Sequence, residues 1–258
     1  MKCVIFGDES TIPGMLKILG DSVELAILAS NRHQAQSMLA KDNKVGKALY
    51  VQPMRKTEEY TYFLAKLKAS VPDYYFCFSY SMILHHEILD IPRFGAINFH
   101  GGLLPQFRGA NIYNWVLIED MRESGMTAHF MTPGIDEGDV ICREKVHILE
   151  SDTAKTLKDK IDPIGFKLLI RIKSRIDQGK PLDAVPQNKE RSRYYRCRNP
   201  EDGLFNWAMS DREIFNLVRA LVSPWPGAFF HNQEGRKIVL RRYHSMEEIR
   251  QLRKTNGF

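Results

Sequence analysis

DYYFCFSYSMILHHEILDIPRFGAINFH, residues 73–100, decides the fold. The stretch opens on a continuous apolar run, DYYFCFS (73–79), and closes on another, GAINFH (95–100), with helix-and-loop sequence between them. Runs of this length without polar alternation read as strands buried on both faces, the pattern of a parallel sheet. Outward from this pair, KCVIFG (2–7), VELAILAS (23–30) and LYVQ (49–52) read as three more strands. Helices are expected around Ile12–Gly20, after Asn31, and from about Thr57 to Ala69. Apolar strands alternating with helices imply an α/β fold, a Rossmann-like parallel sheet covered on both faces. In such sheets ligands sit beyond the carboxyl ends of the strands, so the loops after Phe6, Phe78 and Phe99 are expected to carry function.

From Gly125 the pattern changes to MTAHFMT and DVICREKVHI, two strands joined by the tight loop PGIDEG. Ser151, Asp152 and Thr153 offer N-caps for a long helix to about Gln178, which Gly179-Lys180-Pro181 breaks. We therefore divide the chain at residue 180. Residues 1–180 form the main domain, and residues 181–258 a small C-terminal α+β subdomain with a helix near 210–222.

The composition, 43% apolar and 26% charged over 258 residues, is that of an enzyme-sized chain able to bury a large core. No apolar run approaches the roughly 20 residues that span a bilayer, and the N-terminal MKCVIFGDES lacks the small-residue cleavage site of a secretory leader. Cys3, Cys77, Cys142 and Cys197 are far apart and form no C-x-x-C pair, so neither a zinc knuckle nor a thioredoxin-like site is expected. No metal is expected, and a reducing cytoplasm is. Much of the basic charge behind the net +6 lies late in the chain, in RIKSRIDQGK, KERSRYYRCR and RKIVLRRYH, but with no block of five consecutive basic residues it reads as a solvated face. After the first strand, GDESTIPG lacks the G-x-G-x-x-G that brings backbone up to a pyrophosphate, which disfavours a nicotinamide or flavin enzyme.

The densest chemistry lies in INFHGGLLPQFRGAN (97–111). Asn98 and His100 alternate at the end of a strand, so their side chains project from one face toward the expected crevice. From spacing alone, a strand end capped by a satisfied His and an Asn turn fits equally well. The second stretch is PGIDEGDVI (133–141), whose Asp136 sits in a Gly-flanked loop suited either to presenting a carboxylate or simply to turning the chain.

Together, N-x-H-x-x-L-L-P-x-x-R-G and, further on, G-x-D-x-G-D resemble the folate-dependent formyltransferase family, over most of residues 2–180 and most specifically over 97–141. The resemblance implies a formyltransferase domain with Asn98, His100 and Asp136 as its catalytic set. It also implies N10-formyltetrahydrofolate as the formyl donor. Met82, Ile83 and Leu84, in SYSMILHHEIL (79–89), match the segment whose backbone holds the pterin, although His85 stands where the family usually has Pro. Pro133, Gly134 and Ile135 match the other wall of that pocket. A primary amine attacks the formyl carbon, Asn98 and His100 donate hydrogen bonds to the developing oxyanion, and Asp136 orients His100 and takes the amine proton. One oxyanion donor is typically worth about 3–4 kcal/mol of barrier. His suits this work because its ordinary pKa lies near 6.5.

The acceptor is read from YYRCRNPEDGLFNWAMSDREIFNLVRALVSPWPGAFF, which resembles the C-terminal segment of sugar-nucleotide N-formyltransferases. The loop after the second strand, SNRHQAQ, is short, and about 75 residues follow the long helix. A nucleotide-linked amino sugar (dTDP-, UDP- or GDP-linked), used in surface polysaccharide assembly, is therefore the expected acceptor. The resemblance implies Arg108, Asn111 and Tyr113 as acceptor-side residues, Arg108 serving equally well as a structural guanidinium on local carbonyls. Trp225, among its prolines, is expected in a packed turn. An amino-acid amine of the ornithine type and methionyl-tRNA are the alternative acceptors. A folate- or nucleic-acid-binding protein without catalysis is a third reading, disfavoured by the intact Asn/His/Asp set. The expected partners are thus a reduced folate and a nucleotide-linked amino sugar, with no nucleic acid and no membrane, and relatives of this kind are often homodimers.

Overall fold

The computed structural model describes residues 1–29 and 49–257. The helix expected after Asn31 lies outside the described residues. Strands β1 (Cys3–Gly7), β2 (Val23–Leu28), β3 (Leu49–Val51), β4 (Tyr74–Phe78) and β5 (Ala96–His100) pair in parallel in the order β3-β2-β1-β4-β5. All five residues of β1 are buried, as its unbroken apolar sequence requires. After the short β6 (Arg108–Gly109), strand β7 (Glu123–Phe130) joins the sheet antiparallel to β5, and β8 (Val140–His147) follows it at the edge. The seven-stranded sheet is thus parallel over five strands and mixed beyond them. The short loop from β7 to β8 is too brief for the crossover that parallel neighbours need. As an edge strand, β8 is half-buried to exposed along its length.

Helices cover the sheet where the sequence spaces apolar residues for it. Helix α1 (Ile12–Leu19) has Pro13 in its first turn and buries Ile12, Met15 and Leu19. Helix α2 (Glu58–Ala69) is capped by Thr57, whose hydroxyl accepts from the Tyr60 amide, and buries Tyr60, Phe63 and Leu67. These three pack with Val4, Phe6, Ile27 and Cys77, and with Leu84 and Ile88 from the segment that carries α3 (His86–Leu89). On a second set of alternate residues, Phe78 meets Phe166, with ring centroids 5.3 Å apart.

Further along are α4 (Ile112–Ile118), α5 (Ala154–Asp177), β9 (Tyr194–Tyr195), α6 (Asp211–Ala220), the hairpin of β10 (Ala228–His231) and β11 (Lys237–Leu240), and α7 (Met246–Thr255). By packing, the chain separates into two compact units. One holds Met1–His100, Met126–Glu144 and Pro163–Glu190; the other holds Gly101–Gly125, Lys145–Asp162 and Arg191–Phe258. This partition interleaves segments that the division at residue 180 keeps apart, because β7, β8 and the 24-residue α5 each contribute to both units.

Within the second unit, β6 pairs with β9, and a side chain at Gly109 would meet the Tyr195 carbonyl oxygen at 2.0 Å. Helices α6 and α7 each begin with a capping box, Ser210 with Glu213 and Ser245 with Glu248. Arg253 binds the Asp211 carboxylate at 2.7 Å and donates to the carbonyls of Trp207 and Met209. Trp207 packs edge-on against Phe205 and Phe230. Trp225 is half-buried in a turn, its amide donating to the Val222 carbonyl.

Candidate functional site

Strand β5 places Asn98 and His100 on one face by simple alternation. Its antiparallel partner doubles that face, since Asn98 lies opposite His129 and His100 opposite Thr127. The loop beyond β7 closes on itself, with the Phe130 amide donating to the Asp139 carbonyl at 2.9 Å, and returns Asp136 to the same place. Asp136 has a φ of 53°, the left-handed region that Asp tolerates better than most residues.

Four side chains converge on this point. His100 Nδ1 lies 3.4 Å from Asp136 Oδ2, and His129 Nε2 lies 3.3 Å from Asp136 Oδ1. Asn98 Nδ2 is 3.4 Å from Asp136 Oδ1 and 3.2 Å from His129 Nε2. The carboxylate is thus bracketed, one oxygen facing each imidazole. The side chains of His100, Asp136 and His129 are only 8%, 10% and 2% exposed, so electrostatic effects among them are strong.

The loop is held by its backbone as well. Gln187 Nε2 donates to the Asp136 carbonyl at 2.8 Å and to the Gly138 carbonyl at 2.7 Å. Gly138 presses against β7 so closely that a Cβ there would stand 1.9 Å from the Phe130 oxygen. Beside the site on the same sheet face, Cys77 is the parallel neighbour of Asn98. Burial, and then the Asp136 charge, push its thiol far above the ordinary range, so Cys77 is no nucleophile. Among the described residues, no group of His, Cys, Asp and Glu has the arrangement of a metal site.

The remaining expected residues fall in two places. Met82, Ile83 and Leu84 lie between β4 and α3, in the same unit as Asn98, His100 and Asp136, as do Pro133, Gly134 and Ile135. Leu84 is anchored in the core, whereas Ile83 and Ile135 are 60% and 45% exposed. Arg108, Asn111 and Tyr113 belong to the second unit and are held by contacts within it. The Arg108 amide donates to the Arg193 carbonyl, and Asn111 Oδ1 accepts from the Arg198 amide at 2.9 Å. The Tyr113 hydroxyl donates to Asp162 at 2.7 Å, and the Arg198 guanidinium lies 4.7 Å from the centre of the Trp115 ring. His129 and Gln187 had no place in the sequence reading. The alternation of Thr127 and His129 in MTAHFMT was a visible signal, but only the β5–β7 register gives it meaning.

Residues 11–172 match the model of the formyl transferase family, and residues 198–252 match its C-terminal domain. Over 188 residues the chain is 38% identical to the bifunctional polymyxin resistance protein ArnA of Wigglesworthia glossinidia brevipalpis, an alignment covering 73% of this chain and 28% of that protein. The chain therefore spans well under half the length of that relative. Among solved structures, a 4-N formyltransferase from Francisella tularensis superposes with a TM-score of 0.75 at 18% identity, over 94% of this chain and 97% of that one. An N-formyltransferase from Helicobacter canadensis, in complex with folinic acid and dTDP-3-aminofucose, gives 0.65 at 20% identity over 86% and 81%. At these identities the two structures establish a shared fold. With one family model covering most of the chain and the model of the C-terminal domain following it, the chain belongs to the formyl transferase family.

Proposed function

We propose that the chain transfers a formyl group from N10-formyltetrahydrofolate to the primary amine of a nucleotide-linked amino sugar, with Asn98, His100 and Asp136 as the catalytic set. The observation that carries this reading is the bracketed carboxylate. Asn98 and His100 flank Asp136 on one sheet face, giving two hydrogen-bond donors and one base in a single buried cluster. Acyl transfer to an amine needs that combination and no covalent nucleophile.

The donor supplies an activated formyl carbonyl. Asn98 and His100 donate to its oxygen as negative charge builds there, and Asp136 takes the proton that the attacking nitrogen loses. Met82, Ile83 and Leu84 on one side and Pro133, Gly134 and Ile135 on the other are proposed to hold the reduced folate. The chemistry fits, because Ile83 and Ile135 offer apolar surface for a flat ring while Leu84 ties its segment to the core. Arg108, Asn111 and Tyr113 are proposed for the acceptor.

The sugar-nucleotide acceptor is supported by the company the chain keeps, since the Helicobacter canadensis relative was crystallised with a dTDP-linked amino sugar. Chemistry supports it too. The attacking amine must be neutral, and a sugar amine is less basic than lysine, whose pKa is about 10.4. A single carboxylate base then suffices. All four cysteines are free, which fits a reducing cytoplasm, where nucleotide sugars are made for surface polysaccharide. Among the described residues no helix is long and apolar enough to cross a membrane.

The test is a panel of UDP-, dTDP- and GDP-linked 3-amino and 4-amino sugars, run beside ornithine derivatives and methionyl-tRNA and scored for formyl transfer. Turnover of a sugar nucleotide is the expected result. Transfer only to the amino acid or the tRNA overturns the acceptor while leaving the catalytic set in place.

A further inference from the structure

His129 is a buried imidazole that the scheme above leaves unused, yet it touches both Asn98 and Asp136. Its Nδ1 lies 2.8 Å from the Phe130 carbonyl oxygen. A carbonyl only accepts, so Nδ1 carries the hydrogen whenever the ring is neutral. Nε2 is then a bare acceptor. The Asn98 amide at 3.2 Å suits it, but Asp136 Oδ1 at 3.3 Å presents a second lone pair. One added proton, on Nε2 or on Oδ1, makes that last contact attractive. Asp136 acquires such a proton when it takes one from the attacking amine.

We infer that His129 is a positioning residue that shares this proton with Asp136, an inference that rests on the formyl-transfer reading. The amine N–H bond breaks as an O–H bond forms on Asp136, and the proton then passes to His129 Nε2. The result is a carboxylate beside an imidazolium whose two N–H groups donate to the Phe130 carbonyl and to Asp136 Oδ1. Protonated Nε2 no longer accepts from Asn98, so that amide hydrogen is released for the reacting oxygen as charge develops there. The proton returns through Asp136 to the departing folate nitrogen, and the enzyme finishes the turnover in its starting state. Asp136 from the loop and His100 from β5 are titratable groups in contact with His129, and Cys77 from β4 lies on the far side of Asn98. The His100 ring lies 6.3 Å away and nearly perpendicular. Cys77 remains a thiol because of its burial and the Asp136 charge.

The test is His129→Gln, which keeps a donor and an acceptor at the position but cannot titrate. With folding verified by circular dichroism, kcat should fall by about tenfold or more. KM for either substrate should change by less than about threefold. The acid limb of the kcat profile should be displaced, which a purely structural loss does not produce. Imidazole nitrogen NMR on the wild-type protein provides a readout independent of turnover and of variant folding. It should find the neutral His129 ring protonated on Nδ1. A wild-type rate and pH profile in folded His129→Gln, or a neutral ring protonated on Nε2, overturns the inference. If the wild-type protein formylates no amine, the functional reading fails, and the NMR tautomer still decides the placement of His129.

Discussion

Replacing Gly138 by Ala probes how the loop holds Asp136 without touching any reacting group. A Cβ at this position would lie 1.9 Å from the Phe130 oxygen, roughly 1.5 Å short of ordinary contact, and the obstacle is backbone in a sheet strand. The strand is pinned in the sheet through the β5–β7 pairing, so the loop is the part that moves. Its displacement carries Asp136 away from His100 and His129, whose contacts of 3.4 and 3.3 Å have no slack, and loosens the two bonds from Gln187. A 1 Å misplacement of a catalytic group costs on the order of 100-fold in rate. Overpacking of this kind costs about 1–3 kcal/mol of stability, which for a chain of this size lowers Tm by several degrees. Single-turnover formyl transfer gives the first quantity and thermal unfolding the second. A Gly138→Ala protein with the wild-type rate and wild-type Tm would refute the claim that this contact sets the position of Asp136.

Two further outcomes follow from the same structure. Calorimetry with 5-formyltetrahydrofolate, a stable mimic of the donor, should detect binding that is weakened in Ile135→Asp, and no heat with NAD; nicotinamide binding without a folate signal would contradict the donor assignment. In the second unit, the Arg196 guanidinium, and then the Asn199 amide, hold the Asp202 carboxyl at about 2. Because the folded value lies below the unfolded one of about 3.9, the stabilisation is complete above that value and is lost as pH falls from about 4 toward 2. Discounted for solvent exposure it is worth about 1 kcal/mol. Arg196→Ala should therefore flatten the stability difference between pH 7 and pH 3 in urea unfolding, and an unchanged difference would count against the pairing.

The sheet was legible because its strands are written as unbroken apolar runs, and β1 and β4 are buried as that pattern demands. The shared face of Asn98 and His100 was legible by alternation, and Asp136 was singled out by the motif it sits in. The direction of β7 was not, since a buried antiparallel strand such as MTAHFMT has the same apolar character as its parallel neighbours. His129 was hidden for that reason, its relation to Asn98 existing only in the register. Gln187 was hidden by distance, bonding a carbonyl 51 residues away. Asn111 illustrates the opposite case: a polar residue expected to face a ligand also carries a structural bond, its side-chain oxygen accepting from the Arg198 amide. Packing units that interleave along the chain are equally invisible to a reading that advances residue by residue.

The central claim is that Asn98, His100 and Asp136 act on a formyl group held for an amine. The most direct test is the rate of formyl transfer from N10-formyltetrahydrofolate, under single-turnover conditions with the best acceptor of the panel, in wild-type and His100→Ala proteins of equal Tm. The account predicts a loss on the order of 100-fold or more in His100→Ala, with binding of 5-formyltetrahydrofolate retained. A folded His100→Ala protein that transfers the formyl group at close to the wild-type rate would contradict it.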